Sequence, residues 1–157
     1  MFREAINKLR RLPGINEVIL SPLYFTDPVG IDGEEFLNGA AQIQTTLSAV
    51  ELWRTLERIE LSLGRTAKNH KQPRTIDLDI LLYGDSVVKM PQLSIPHIAL
   101  AERGFVLRPL CDLAPQALVP PTGITVAELW DHLADKNGLR VVDGRNDTEI
   151  EQLKHAQ

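Results

Sequence analysis

The chain has 157 residues, enough for one domain with its own hydrophobic core. Apolar residues make up 43% and charged residues 24%, and the net charge of −4 excludes wholesale attraction to nucleic acid or to an anionic membrane. One cysteine, Cys111, excludes an internal disulfide, and no apolar run reaches the roughly 18 residues needed to span a bilayer.

Cys111 sits in the apolar run from Val106 to Pro115 and reads as a small buried or half-buried side chain rather than a nucleophile. A lone cysteine fits a reducing compartment, and the N-terminus lacks the apolar core of a signal peptide, so the expected location is the cytoplasm.

Phe2, Ala5, Ile6, Leu9 and Leu12 recur at helical spacing, which predicts an amphipathic helix over 2–12 stopped by Pro13-Gly14. Residues 17–24 are rich in β-formers, with Pro22 pointing to a bulge or an edge. The stretch from Thr26 to Gly33 is a loop by composition, and 36–46 reads as a strand with Phe36 and Asn38 on one face. Ser48 and Glu51 form a capping box ahead of a helix whose stripe is Leu52, Leu56, Ile59 and Leu63, ending near Gly64.

A polar, basic loop spans Arg65 to Arg74. Residues 75–83 then alternate as a strand, with Ile76, Leu78, Ile80 and Leu82 facing one way and Thr75, Asp77, Asp79 and Leu81 the other. A loop over Ser94-Ile95-Pro96-His97 precedes a helix expected over about 99–113. Thr125 and Glu128 form a second capping box opening a short helix to about Leu133. The last twenty or so residues are weakly patterned. This order of helices and strands is α+β.

The chemistry concentrates at Asp77 and Asp79. Two carboxylates two apart on a strand share a face, with Cα atoms roughly 7 Å apart, while Leu78 between them faces inward and pins the register. Paired hard oxygens suit Mg²⁺, which takes one or two carboxylates and completes its shell from substrate phosphates. A bare Asp-x-Asp pair can equally be a solvated sheet face. The flanks favour the metal: Arg65, Lys68, Lys71 and Arg74 crowd positive charge just upstream, as a metal–polyphosphate requires. His97 and Arg103 offer further phosphate donors, although a lone histidine is more often structural. Asn38 and Phe36 could hold a planar ring by hydrogen bonding and stacking, or Phe36 could be core. No Gly-rich phosphate loop, Cys/His metal cluster or nucleophile elbow is present.

Taken together, Arg58-Ile59-Glu60 with Gly64-Arg65, the run from Pro73 to Leu81, Pro96-His97 with Arg103-Gly104-Phe105, Phe36-Leu37-Asn38 and Tyr24-Phe25-Thr26 resemble the 6-hydroxymethyl-7,8-dihydropterin pyrophosphokinases of folate biosynthesis, over about residues 2–133. The resemblance implies transfer of diphosphate from ATP to the hydroxymethyl group of the pterin, with release of AMP. It implies a ferredoxin-like α/β sandwich with a mainly antiparallel sheet and a catalytic domain over 1–133. Residues 134–157 form a C-terminal tail, either separate or part of that domain.

By the same resemblance, Asp77 and Asp79 would hold two Mg²⁺ ions, with ATP as co-substrate. Arg65 and Arg74 would join them in catalysis. Glu60, Arg65, Arg74, Ile80, Ser94, His97 and Arg103 would bind ATP. Thr26, Val29, Phe36, Asn38 and Phe105 would form the pterin slot, with Phe36 and Phe105 on the two faces of the ring. The expected partners are ATP and a dihydropterin alcohol, with no nucleic acid or membrane, and the expected state is a monomer.

The chain departs from the family pattern in two places. Relatives open with a strand ending in Gly-Ser-Asn, whereas this chain begins inside the first helix, which predicts an incomplete sheet and impaired folding or activity. The Arg65–Arg74 loop also lacks the usual tryptophan and carries Ala67 in place of a common second arginine, so Lys68 and Lys71 supply point charges instead of planar forks. Two other readings stay open: a different metal-dependent nucleotidyl enzyme, and a catalytically silent pterin or nucleotide binder.

Overall fold

The computed structural model describes residues 2–26, 36–64, 76–136 and 138–142. The chain runs through helix α1 (Phe2–Arg10), strands β1 (Ile15–Leu20), β2 (Tyr24–Thr26), β3 (Phe36–Asn38) and β4 (Ala41–Thr45), and helix α2 (Ala49–Ser62). There follow β5 (Val88–Met90), β6 (Leu93–Ile95), α3 (Gly104–Leu113), β7 (Leu118–Val119), β8 (Ile124–Thr125), α4 (Val126–His132) and β9 (Leu139–Val141). The fold is α+β, and every described strand pair is antiparallel.

β1 pairs with β4 and β2 with β3, so the two hairpin arms form one bent ribbon. Each of the expected strands over 17–24 and 36–46 is therefore two strands. The bend falls at Gly39, where a Cβ would stand 2.6 Å from Leu23 Cδ2 and that side chain would have to shift. Buried Ser21 takes over the backbone pairing there, its hydroxyl accepting from the Ala40 amide at 2.9 Å. β9 adds to the far side of β2, so residues 139–141, which have no strand pattern in the sequence, complete a three-stranded sheet.

α2 is capped as expected: the Glu51 amide donates to the Ser48 hydroxyl, and the Glu51 carboxylate accepts from the Ser48 amide at 2.8 Å. It buries Leu52, Leu56 and Ile59 against Ala5 and Leu9 of α1 and against Ile80, Leu93 and Ile95. A second core gathers Leu100, Leu107, Val119 and Val126 under α3 and α4. α3 begins at Gly104 rather than near Ala99, because residues 98–102 form turns and Arg103 is extended at the N-cap.

The largest difference from the sequence reading concerns 75–83, expected as the clearest strand. Residues 76–83 carry no strand pairing among the described residues. A strand needs a hydrogen-bonded neighbour, and the alternation of side chains does not supply one. Alternation itself holds through Ile80: Ile76, Leu78 and Ile80 pack on the first core while Asp77 and Asp79 stay exposed. It then breaks, and Leu81 and Leu82 both pack on the second core, so Leu82 does not share a core with Ile80. The segment thus bridges the two cores.

Candidate active site

The Asp77–Asp79 segment is fastened from below and beside. Glu60, on the buried face of α2 and only 3% exposed, accepts the Leu78 amide at 2.7 Å. The Leu81 carbonyl accepts the His97 amide at 2.9 Å, which brings the loop after β6 alongside. With Leu78 held inward on both its side chain and its amide, the carboxylates on either side project outward.

The His97 imidazole stands over this segment, its Nε2 3.8 Å from Asp79 Oδ2, an ion pair when the ring is protonated. Its Nδ1 accepts from the Ala99 amide at 3.2 Å, which leaves the ring hydrogen of the neutral form on Nε2, turned toward Asp79. Ser94, on β6, donates to the Pro96 carbonyl at 3.2 Å. The carboxylate pair fits a hard divalent ion that draws its remaining ligands from a polyphosphate. Among the described residues no group of three or more His, Cys, Asp or Glu side chains forms a full protein cage.

A second constellation lies on the bent ribbon. The register pairs Tyr24 with Asn38 and Thr26 with Phe36, so all four side chains share one face. The Asn38 amide donates to Thr26 Oγ1 at 3.0 Å and to the Phe36 carbonyl at 3.3 Å, which fixes the amide orientation. Phe36 is 56% exposed, too open for a core ring. Phe105 stands in the first turn of α3, partly exposed, with the Arg103 guanidinium 5.8 Å from its ring centre.

The structure thus brings Asp79 and His97 together, and Thr26, Phe36 and Asn38 together. Two members of the nucleotide set face inward: the Ile80 side chain is committed to the first core, so only its backbone is left to line a site, and Glu60 is buried beneath Leu78. Arg65, Arg74 and Val29 lie outside the described residues, as do Lys68 and Lys71. Two features escaped the sequence reading. The Glu60–Leu78 bond spans eighteen residues without a motif of its own. A part-buried network of Tyr24, Arg108 and Asp112 spans more than eighty residues.

Residues 1–115 match the family model of 7,8-dihydro-6-hydroxymethylpterin-pyrophosphokinase. The chain is 44% identical over 120 residues to the 2-amino-4-hydroxy-6-hydroxymethyldihydropteridine pyrophosphokinase of Pseudomonas aeruginosa, covering 76% of this chain and 74% of that protein. It is 33% identical over 157 residues to the Bacillus subtilis protein of the same name, covering 99% and 88%. It is 40% identical over 150 residues to the folic acid synthesis protein fol1 of Schizosaccharomyces pombe, covering 95% of this chain and 20% of that larger protein. With an outward-facing carboxylate pair, a histidine beside it and a ribbon face bearing Thr26, Phe36 and Asn38, the chain belongs to the 7,8-dihydro-6-hydroxymethylpterin-pyrophosphokinase family.

Proposed function

We propose that this chain transfers the β,γ-diphosphate of ATP to the hydroxymethyl oxygen of 6-hydroxymethyl-7,8-dihydropterin, releasing AMP. The observation that carries the reading is the outward projection of Asp77 and Asp79 on either side of a Leu78 anchored by side chain and amide, with His97 3.8 Å from Asp79. In the transfer the pterin oxygen bonds to the β-phosphorus, the bond from that phosphorus to the oxygen bridging the α-phosphate breaks, and AMP leaves with that oxygen. The hydroxyl proton passes to solvent.

The work of the protein is positioning and charge neutralisation. Asp77 and Asp79 would hold two Mg²⁺ ions, which when bound neutralise triphosphate oxygens and stabilise charge in the transition state. Arg65, Arg74, His97 and Arg103 carry the remaining phosphate contacts, with Ser94 and the backbone of Ile80 on the nucleotide side. Glu60 acts through Leu78, holding the carboxylate pair in place. Thr26, Val29, Phe36, Asn38 and Phe105 form the pterin slot, Asn38 reading the polar edge and the two rings covering the faces.

We read residues 1–133 as the catalytic domain, and the pairing of β9 with β2 favours including the segment after it in the same unit. The chain is read as a monomer of the cytoplasm. No helix among the described residues is long and apolar enough to cross a membrane.

The test is AMP release from MgATP with and without the pterin alcohol. Pterin-dependent AMP supports the reading. Turnover on another acceptor alone indicates a different nucleotidyl enzyme, and binding without turnover indicates a silent binder; either result overturns it.

A further inference from the structure

The pterin slot as read above has two walls on different elements. One is the ribbon face bearing Thr26, Phe36 and Asn38; the other is the N-terminal end of α3 bearing Phe105. Neither hydrogen bonds within β2–β3 nor those within α3 determine the gap between these walls.

A cyclic network spans that gap. Tyr24 is buried on the same ribbon face as Thr26 and Asn38, directly opposite Asn38 in the ladder. Its hydroxyl donates to Asp112 Oδ2 at 2.5 Å and accepts from Arg108 Nε at 3.2 Å. Arg108 closes the ring by pairing with the other oxygen of Asp112, one helical turn away. The phenol thus uses its one donor and one acceptor site on two partners whose charges cancel. Phe105, Arg108 and Asp112 are spaced three and four apart and so lie along one stripe of α3. Arg108 is itself held from behind, its guanidinium 5.5 Å from the ring centre of Trp130, which Lys136 also approaches at 5.4 Å.

The same two surfaces therefore carry the slot residues and, beside them, a bonded contact. We infer that Tyr24, Arg108 and Asp112 are positioning residues that clasp the ribbon to α3 and so set the spacing between the Phe36–Asn38 wall and the Phe105 wall of the pterin slot. The inference rests on the pterin reading of that slot. None of the three touches the pterin; each acts through the wall that it anchors. The printed bonds of the network join β2 to α3, the two elements that carry the slot walls, so its loss should act on the pterin more than on the nucleotide.

The experiment measures direct binding of the pterin alcohol and of MgATP to wild type, Tyr24→Phe, Asp112→Ala and the double variant. Thermal melts confirm that each is folded. Tyr24→Phe keeps the buried ring and removes only the hydroxyl, so it is the variant least able to unfold the protein. The expected result is a pterin Kd raised about three- to tenfold in each single variant, with MgATP affinity in the absence of pterin changed less than about twofold. The double variant loses little more than either single, because the clasp is already open. Pterin affinity at the wild-type level in both single variants overturns the clasp while the slot stands, and so do losses of pterin and MgATP affinity that move in parallel. A wild-type protein that binds no pterin overturns the slot reading and the clasp with it, which separates the two failures.

Discussion

Glu51 closes the N-terminal cap of α2, a capping box that is complete within four residues, Ser48 to Glu51, and needs no tertiary partner. The Ser48 amide first, and its hydroxyl second, hold the Glu51 carboxyl below the ordinary carboxylate range. A depressed folded value contributes stability that is complete above the unfolded value and is lost as pH falls through the folded one. Urea denaturation over acidic pH should therefore show a shallower fall of stability in Glu51→Gln than in wild type. Identical pH slopes would contradict the capping role.

Glu60 shows the opposite case. As a sequence letter it was a candidate for the nucleotide side; the structure buries it beneath Leu78, where its oxygen serves a backbone amide. No periodicity announces such a bond. Glu60→Leu should cost about 1–3 kcal/mol in denaturant stability by stranding that amide, and Glu60→Gln should recover much of it by restoring an acceptor. Asn38→Ala should weaken pterin binding more than ATP binding, because the amide is bonded to Thr26 on the ribbon face read as the pterin slot.

At the scale of elements, helices were read better than strands. The stripe of Leu52, Leu56 and Ile59 predicted α2 because helical hydrogen bonds are local and burial follows a fixed period. Leu56→Ala should cost roughly 2–5 kcal/mol, measured by urea unfolding, since the residue lies in the centre of the first core. A strand is defined by a partner distant in sequence. Residues 76–83 have the alternation but no described ladder, whereas β9 has the ladder and almost no alternation to signal it. The break near Gly39 was equally hidden, since the Ser21 hydroxyl that accepts from the Ala40 amide there lies nineteen residues away in sequence. The Asp77–Asp79 pair was nonetheless legible, because which face a residue takes depends on alternation alone.

Across the whole molecule, the segment 76–83 joins the core under α2 to the core under α3 and α4. A ligand held by Asp77 and Asp79 therefore binds at the seam, and binding to the folded state alone raises stability by mass action, about 2.7 kcal/mol at a hundred times its Kd. Mg²⁺ with a non-hydrolysable ATP analogue should raise the melting temperature. Chelation of the metal should abolish most of the rise, and Asp77→Ala should show little rise at all. The Tyr24 clasp illustrates why part of the site was illegible: its residues are ordinary in their own elements and acquire a role only when β2 and α3 pack together.

The most direct measurement is the rate of pterin-dependent AMP release by Asp77→Ala and Asp79→Ala, each checked for a cooperative thermal transition. Rates should fall by about a hundredfold or more in both folded variants, because the metal-borne stabilisation of the transferring diphosphate would be gone. Near-normal rates in both would remove the carboxylate pair from the chemistry.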